Sequence, residues 1–193
     1  MTIAAVILAG GEGARIGGGK PLLQFGGTTL LDRAIQFALT QSELVAVAVR
    51  DVQQIGEIGV AIIRDDPRIE GPLAGLVGAL RFAVDEGADA VLTLPTDMPF
   101  LPSDFAGRLG GELASNCAAI ARSGGHLHPV CGLWLAGALD SVPAYVASGR
   151  RSLRGLAEAV GYAAVDWPAT PVDPLFNITT AADLAAAEQR LQR

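Results

Sequence analysis

Short apolar runs recur along the first hundred residues, at Ala4 to Ala9, Leu44 to Val49 and Ala90 to Leu94. Each is rich in Val, Ile, Leu and Ala and lacks the polar alternation of a half-exposed strand. That pattern predicts strands buried on both faces of a parallel sheet. We place strands at Ile3 to Leu8, Leu44 to Val49, Val60 to Ile63 and Ala90 to Leu94. Between them the apolar spacing lengthens to that of helices, near Leu30 to Leu39, briefly after Val49, from Leu73 to Val84 and after Pro102. The helix starts carry their own chemistry. Thr29 with Asp32, and Thr180 with Asp183, fit capping boxes, and Pro72 and Pro102 suit a first helical turn. Beyond Gly124 the alternation fades, and irregular structure with an antiparallel strand around Pro129 to Leu135 is expected. Strands alternating with helices define an α/β fold of three layers, a mostly parallel central sheet with helices on both faces, in the Rossmann-like manner.

Length changes little in this picture: 193 residues suit one domain with a full core. Hydropathy changes more. Half of the residues are apolar and the mean hydropathy is +0.39, yet no run approaches the ~18 to 20 residues that a bilayer requires. The apolar content therefore belongs to a core, and no membrane partner is expected. The N-terminal stretch lacks a basic flank and runs straight into glycines, so a cytoplasmic location is expected. A net charge of -6 argues against a nucleic-acid partner, and leaves any anionic substrate to be held by a few local cations. Cys117 and Cys131 have no metal-ligand spacing and read as buried free thiols.

In an open parallel sheet, ligands bind beyond the carboxyl ends of the strands. Three polar or glycine-rich clusters follow strands here: Gly10 to Lys20, Asp65 to Gly71, and Thr96 to Pro99. The first, within Leu8 to Lys20, has six glycines in thirteen positions. Glycines let backbone amides crowd around a phosphate, and Arg15 and Lys20 add positive charge where a leaving pyrophosphate gathers negative charge. A Walker A loop needs Gly where Ala14 stands and Ser or Thr where Pro21 stands. A dinucleotide fingerprint needs Gly where Ile16 stands. A loop that fails both tests and is longer than a Rossmann turn suits a whole triphosphate.

The segment Leu94-Pro95-Thr96-Asp97-Met98-Pro99 holds one carboxylate between prolines, a hard oxygen ligand of the kind Mg2+ takes along with substrate phosphates and water. Gly71-Pro72-Leu73-Ala74-Gly75 opens a helix whose N-terminus suits an anion, and Gly75 in that first turn signals close approach of a ligand or backbone. Solvated loops, capping carboxylates and ordinary helix starts remain the plainer alternatives for each cluster taken singly.

Leu8-Ala9-Gly10-Gly11 followed by Arg15, Gly17 and Lys20 resembles the nucleotidyltransferase signature L-A-[GA]-G-x-x-x-R-[MI]-G-x-x-K. The double glycine is similar to the molybdenum cofactor guanylyltransferases of the MobA-like family, whereas the related cytidylyltransferases usually read Leu-Ala-Ala-Gly. The resemblance implies GTP and molybdopterin as substrates and Mg2+ on Asp97. It implies catalysis by Lys20, Arg15 and Asp97, and nucleotide contacts from Leu8, Ala9, Gly10, Gly11, Lys20, Gly71 and Asp97. A nucleoside-contacting aspartate is expected at Asp65, with Asp66 adjacent. The GTP-binding half would be residues 1–105 and the acceptor half residues 124–180. In the latter, His128, Arg150, Arg151 and Asn177 resemble acceptor-binding positions. Transient contacts with other cofactor-biosynthesis or molybdoenzyme-maturation proteins would follow. Two departures stand out: the family's Asn-Val-Asn-Thr-Pro is Asn177-Ile178-Thr179-Thr180-Ala181 here, and Ala48 occupies a site where some members carry asparagine. A CTP- or sugar-phosphate-using sister enzyme, and a nucleotide sensor or carrier on the same fold, stay open as alternatives at this point.

Overall fold

The computed structural model describes residues 1–10 and 20–191. Its backbone is a seven-stranded sheet in the order β5-β4-β1-β6-β8-β7-β9. The strands are β1 (Ile3–Leu8), β4 (Leu44–Val49), β5 (Ala61–Arg64), β6 (Ala90–Pro95), β7 (Ala118–Ser123), β8 (His126–Leu135) and β9 (Tyr162–Trp167). Only β8 runs against its neighbours β6 and β7, and β9 pairs parallel to β7. The small hairpin of β2 (Gln24–Phe25) and β3 (Thr28–Thr29) stands apart.

Each central strand divides its side chains by the two-residue period of the pleat. Ala5, Ile7 and Ala9 join one core with Leu31 and Ile35 of α1 (Leu30–Gln41) and Phe105 and Leu109 of α3 (Phe105–Gly111). Ala4 and Val6 join the other with Leu73, Leu76 and Leu80 of α2 (Pro72–Asp85). The same layer contains α4 (Val142–Ala147) and α5 (Leu153–Val160), through Tyr145, Leu153 and Leu156. Full burial of a Val or Leu stabilises by about 1.5–3 kcal/mol, so strands covered on both faces become continuous apolar runs. A third cluster seats α6 (Ala181–Leu191) on the hairpin through Ala187, Ile178, Phe25 and Leu30.

Both anticipated capping boxes form. Asp32 N–H donates to Thr29 Oγ1 at 3.0 Å and Asp183 N–H to Thr180 Oγ1 at 3.2 Å, and both carboxylates reach back to the cap backbone. Pro72 opens α2. Pro102 does not open a helix: its carbonyl accepts from Phe105 N–H in a turn at 3.1 Å, and α3 begins at Phe105. The antiparallel strand in the later region is real and longer than expected. Its register against β7 shifts between Ile120 and Arg122. Cys131 is buried as anticipated, but Cys117 is only half-buried; both thiols are free. Among the described residues, no helix is long and apolar enough to cross a membrane.

The join between β5 and α2 is tight. A Cβ on Gly78 would lie 2.7 Å from the Arg64 carbonyl oxygen, a backbone atom that cannot swing away. Helix propensity alone would favour alanine by about 1 kcal/mol, whereas overpacking costs about 1–3 kcal/mol. Gly78→Ala is therefore expected to lower the urea midpoint. A midpoint at or above that of the parent would show that the helix and strand have slack between them.

Candidate active site

A crevice of about 560 Å³ opens at the carboxyl ends of β1, β4, β5 and β6. Leu8, Ala9 and Gly10 enter it from β1, Arg50 from β4 and Asp65 from β5. Gly71, Pro72 and Gly75 come from the start of α2, Pro95, Thr96, Asp97 and Met98 from the end of β6, and Val130 from β8. Lys20 and Asn177 complete the wall. Gly10 and Lys20, the described ends of the first cluster, thus meet the other two clusters anticipated at strand ends. Gly11 and Arg15 lie outside the described residues.

The sheet delivers these groups through backbone bonds. Ala9 N–H donates to the Ala48 carbonyl at 2.9 Å, which continues the β1–β4 ladder by one residue. At Ala48 the backbone makes this contact, so it does not depend on the side chain there. Asp65 N–H donates to the Val49 carbonyl at 3.0 Å, continuing the β4–β5 ladder by one residue into the crevice.

The adjacent aspartates have opposite environments. Asp66 is buried, and its carboxylate accepts from Arg68 Nη2 at 2.9 Å and Arg81 Nη2 at 2.7 Å. Those guanidiniums hold its carboxyl well below the usual carboxylate range. Its backbone N–H donates to the Ala74 carbonyl at 3.1 Å, so Asp66 fastens the loop to α2. Asp65 faces the crevice. Its Oδ1 is buried without a hydrogen-bond partner, and burial pushes its pKa up, with the charge of Arg50 opposing that rise. Two glycines make room for this carboxylate. A Cβ on Gly10 would run into Asp65 Oδ2, and one on Gly75 would lie 3.3 Å from Asp65 Oδ1 and from Leu8 Cδ2. The close approach anticipated at Gly75 is therefore made by side chains.

Asp97 is held from two sides. Its carbonyl accepts from Ile178 N–H at 2.9 Å. Its Oδ2 pairs with the Lys20 ammonium, and its Oδ1 is buried without a partner. The carboxylate is thus half engaged, not wholly free as expected from its proline flanks. Behind it, Cys131 Sγ lies 3.3 Å from Met98 Sδ; burial, with the Asp97 charge adding, pushes that thiol well up, which leaves it unreactive. Among the described residues no three His, Cys, Asp or Glu side chains are grouped to hold a metal. A divalent ion would take Asp97 Oδ1 together with substrate oxygens and water, a donor set that matches Mg2+.

Of the anticipated acceptor residues, Asn177 alone lines the crevice. Arg150 lies over the Tyr145 ring and 3.6 Å from Glu158. Arg151 donates to the Val146 and Arg150 carbonyls at 2.7 and 2.8 Å. His128 is half-buried, with Nε2 3.1 Å from Ser123 Oγ. His126 is exposed and belongs to no three-ligand group. Arg50 was not anticipated, although it follows β4 directly and the strand-end rule points to it.

A nucleotide-sized crevice at the carboxyl edge of a mostly parallel sheet, with a cation and two carboxylates converging, defines a nucleotidyltransferase type of α/β protein. The family model described as the MobA-like NTP transferase domain matches residues 5–165. The chain belongs to this family. It is 40% identical over 188 residues to the molybdenum cofactor guanylyltransferase of Acidiphilium cryptum, covering 95% of this chain and 93% of that one. It is 36% identical over 197 residues to the molybdenum cofactor guanylyltransferase of Cereibacter sphaeroides, covering 100% and 99%. The fold matches the crystal structure of molybdopterin-guanine dinucleotide biosynthesis protein A from Archaeoglobus fulgidus with a TM-score of 0.79, at 23% identity and 98% coverage of both chains.

Two stability measurements check the contrast between the aspartates. A depressed folded pKa means that the contribution of Asp66 is complete above the ordinary aspartate value of 3.8 and is lost as pH falls below it. Asp66→Asn should cost about 2 kcal/mol at pH 7, less than a fully buried pair because both arginines remain partly in water. The deficit should shrink in urea titrations below pH 4; a deficit independent of pH would refute the ion-pair account. Asp65 has the opposite sign. A raised pKa makes its ionised form unfavourable in the fold, so Asp65→Asn should raise the Tm of the ligand-free protein at pH 7, and the gain should vanish in acid. A lower Tm at pH 7 would count against that assignment.

Proposed function

We propose that the protein transfers GMP from GTP to the terminal phosphate of molybdopterin, forming the guanine dinucleotide form of the molybdenum cofactor and releasing pyrophosphate. The observation that carries this reading is the convergence of Lys20, Asp65 and Asp97 in one crevice, in a chain related over its whole length to guanylyltransferases. An oxygen of the molybdopterin phosphate attacks the α-phosphorus of GTP. The bond from that phosphorus to the β-phosphate oxygen breaks, and its electron pair leaves with pyrophosphate. The attacking group is an oxyanion at neutral pH, so no protein base is required. The work left to the chain is positioning and charge stabilisation.

In this reading Leu8, Ala9 and Gly10 receive the nucleoside together with Asp65 and Gly71, and the loop that begins at Gly11 receives the triphosphate. Asp65 Oδ1 offers an acceptor to the N–H groups of the guanosine. Arg15 and Lys20 meet the charge that grows on pyrophosphate. Members of this family use a divalent metal, and here we assign Mg2+ to Asp97; when bound, it would neutralise phosphate charge. Residues 1–105 serve the nucleotide and residues 124–180 the acceptor. Asn177 carries the acceptor contact on the crevice wall, while His128, Arg150 and Arg151 lie beyond it and would meet an acceptor long enough to extend past it. The setting is a cytoplasmic enzyme acting on small molecules, without nucleic acid or membrane, that meets other cofactor-biosynthesis or molybdoenzyme-maturation proteins transiently.

Loss of one preorganised charge donor typically costs on the order of 10²-fold in rate. Lys20→Ala should show at least that loss in pyrophosphate release from GTP and molybdopterin. An unchanged rate would remove Lys20 from the chemistry. Calorimetric titration of the parent protein with GTP and with CTP tests the base: tighter binding of CTP would replace the guanylyl assignment by a cytidylyl one.

A further inference from the structure

A second polar group lies outside the crevice, where β7 ends. Ser123, the last residue of β7, is 2% exposed, and its Oγ lies 3.1 Å from Asp173 Oδ2 and 3.1 Å from His128 Nε2. A carboxylate only accepts, so the hydroxyl hydrogen goes to Asp173 and Ser123 Oγ accepts from His128 Nε2–H. That fixes the imidazole tautomer, and burial, which lowers the His128 pKa, favours its neutral form.

The other end of Asp173 grips its own segment. Its Oδ1 accepts from Leu175 N–H at 2.8 Å, and its carbonyl accepts from Phe176 N–H at 3.3 Å. The two residues that follow are Asn177, on the crevice wall, and Ile178, fully buried, whose N–H donates to the Asp97 carbonyl at 2.9 Å. An unbroken path of hydrogen bonds and backbone therefore runs from His128 through Ser123 and Asp173 to Asn177 and Asp97. Ser123, His128 and Asp173 are not part of the crevice wall.

We propose that Ser123 and Asp173 are positioning residues: they lock the 173–178 segment to the end of β7 and so hold Asn177 where the acceptor must sit. This rests on reading the crevice as the transfer site. His128 joins the same network, since its Nε2 is committed to Ser123. A polar network of this kind specifies one geometry, and removing Ser123 takes a bond from each of two half-buried partners, His128 and Asp173.

The test uses the full chain as Ser123→Ala, Asp173→Asn and the double variant, each first shown to be folded by circular dichroism. Loss of an outer-shell partner typically costs about 10-fold or more. Amide hydrogen exchange in peptides covering residues 174–180 should rise about tenfold, with peptides from β1 and β4 unchanged. The KM for molybdopterin should rise about tenfold, while the Kd for GTP stays within about twofold. Because both residues act through one path, the double variant should match the singles. Unchanged exchange, multiplying effects in the double variant, or equal losses for GTP and molybdopterin would each overturn the proposal. The exchange measurement needs no turnover. If the parent protein fails to turn over GTP with molybdopterin while exchange still rises in the variants, the substrate reading falls and the coupling of Ser123 to the segment stands.

Discussion

Two carboxylates at the crevice floor each keep one oxygen buried and without a partner, and that constraint organises much of the molecule. An unsatisfied buried acceptor costs about 1–3 kcal/mol, and a flexible loop would relax to escape the cost. Asp65 and Asp97 cannot relax, because each follows a strand that is fixed by its neighbours and each backbone is bonded again beyond the strand end. Binding of a ligand that supplies donors or a cation to Asp65 Oδ1 and Asp97 Oδ1 gains the interaction without first ordering the groups that make it. The sheet thus keeps in the free protein a strain that favours the occupied crevice.

The remaining architecture keeps those oxygens in place. Glycines at 10 and 75 flank the Asp65 carboxylate, and Gly78 lets α2 approach the end of β5 closely enough to set its direction. Asp66 points the opposite way and ties the same loop to Arg81 in α2. Neighbouring residues therefore divide the work: Asp66 forms ion pairs that offset its burial, and Asp65 leaves one oxygen open. On the other side, Asp97 is reached by Ile178 from far along the chain, so the C-terminal segment and the N-terminal loop meet at one residue.

How much of this could be read from residues alone depended on how local each cause was. The limits of β1 and β4 coincide with the strands placed at Ile3 to Leu8 and Leu44 to Val49, because both faces of those strands are buried. At the sheet edge β5 begins one residue later than its hydrophobic pattern suggests, since little burial anchors it there. Neither β7 nor β9 was anticipated; half of β7 is alanine, and β9 has only two buried residues to mark it. At the site, Asp97, Lys20 and the glycines were legible because strand ends and proline or glycine neighbours announce them. The choice between Asp65 and Asp66 was not, because it turns on an arginine from the next helix. Arg150 and Arg151 resemble acceptor-binding positions in the sequence, while in the fold contacts with Glu158, Tyr145 and backbone carbonyls engage them.

The pairing of Lys20 with Asp97 then has a direct consequence for how an anion is received. An ammonium has three N–H donors, and Asp97 Oδ2 occupies one of them. Lys20 can therefore keep its carboxylate partner and still donate to phosphate oxygens, which spares the cost of separating two half-buried charges. The carboxylate also fixes a long side chain that would otherwise lose about 2 kcal/mol of rotamer entropy on binding. An arginine in that place would present a planar fork in place of a point charge. The geometry favours a compact cation on a flexible stem that Asp97 steadies, and the residue found there is lysine.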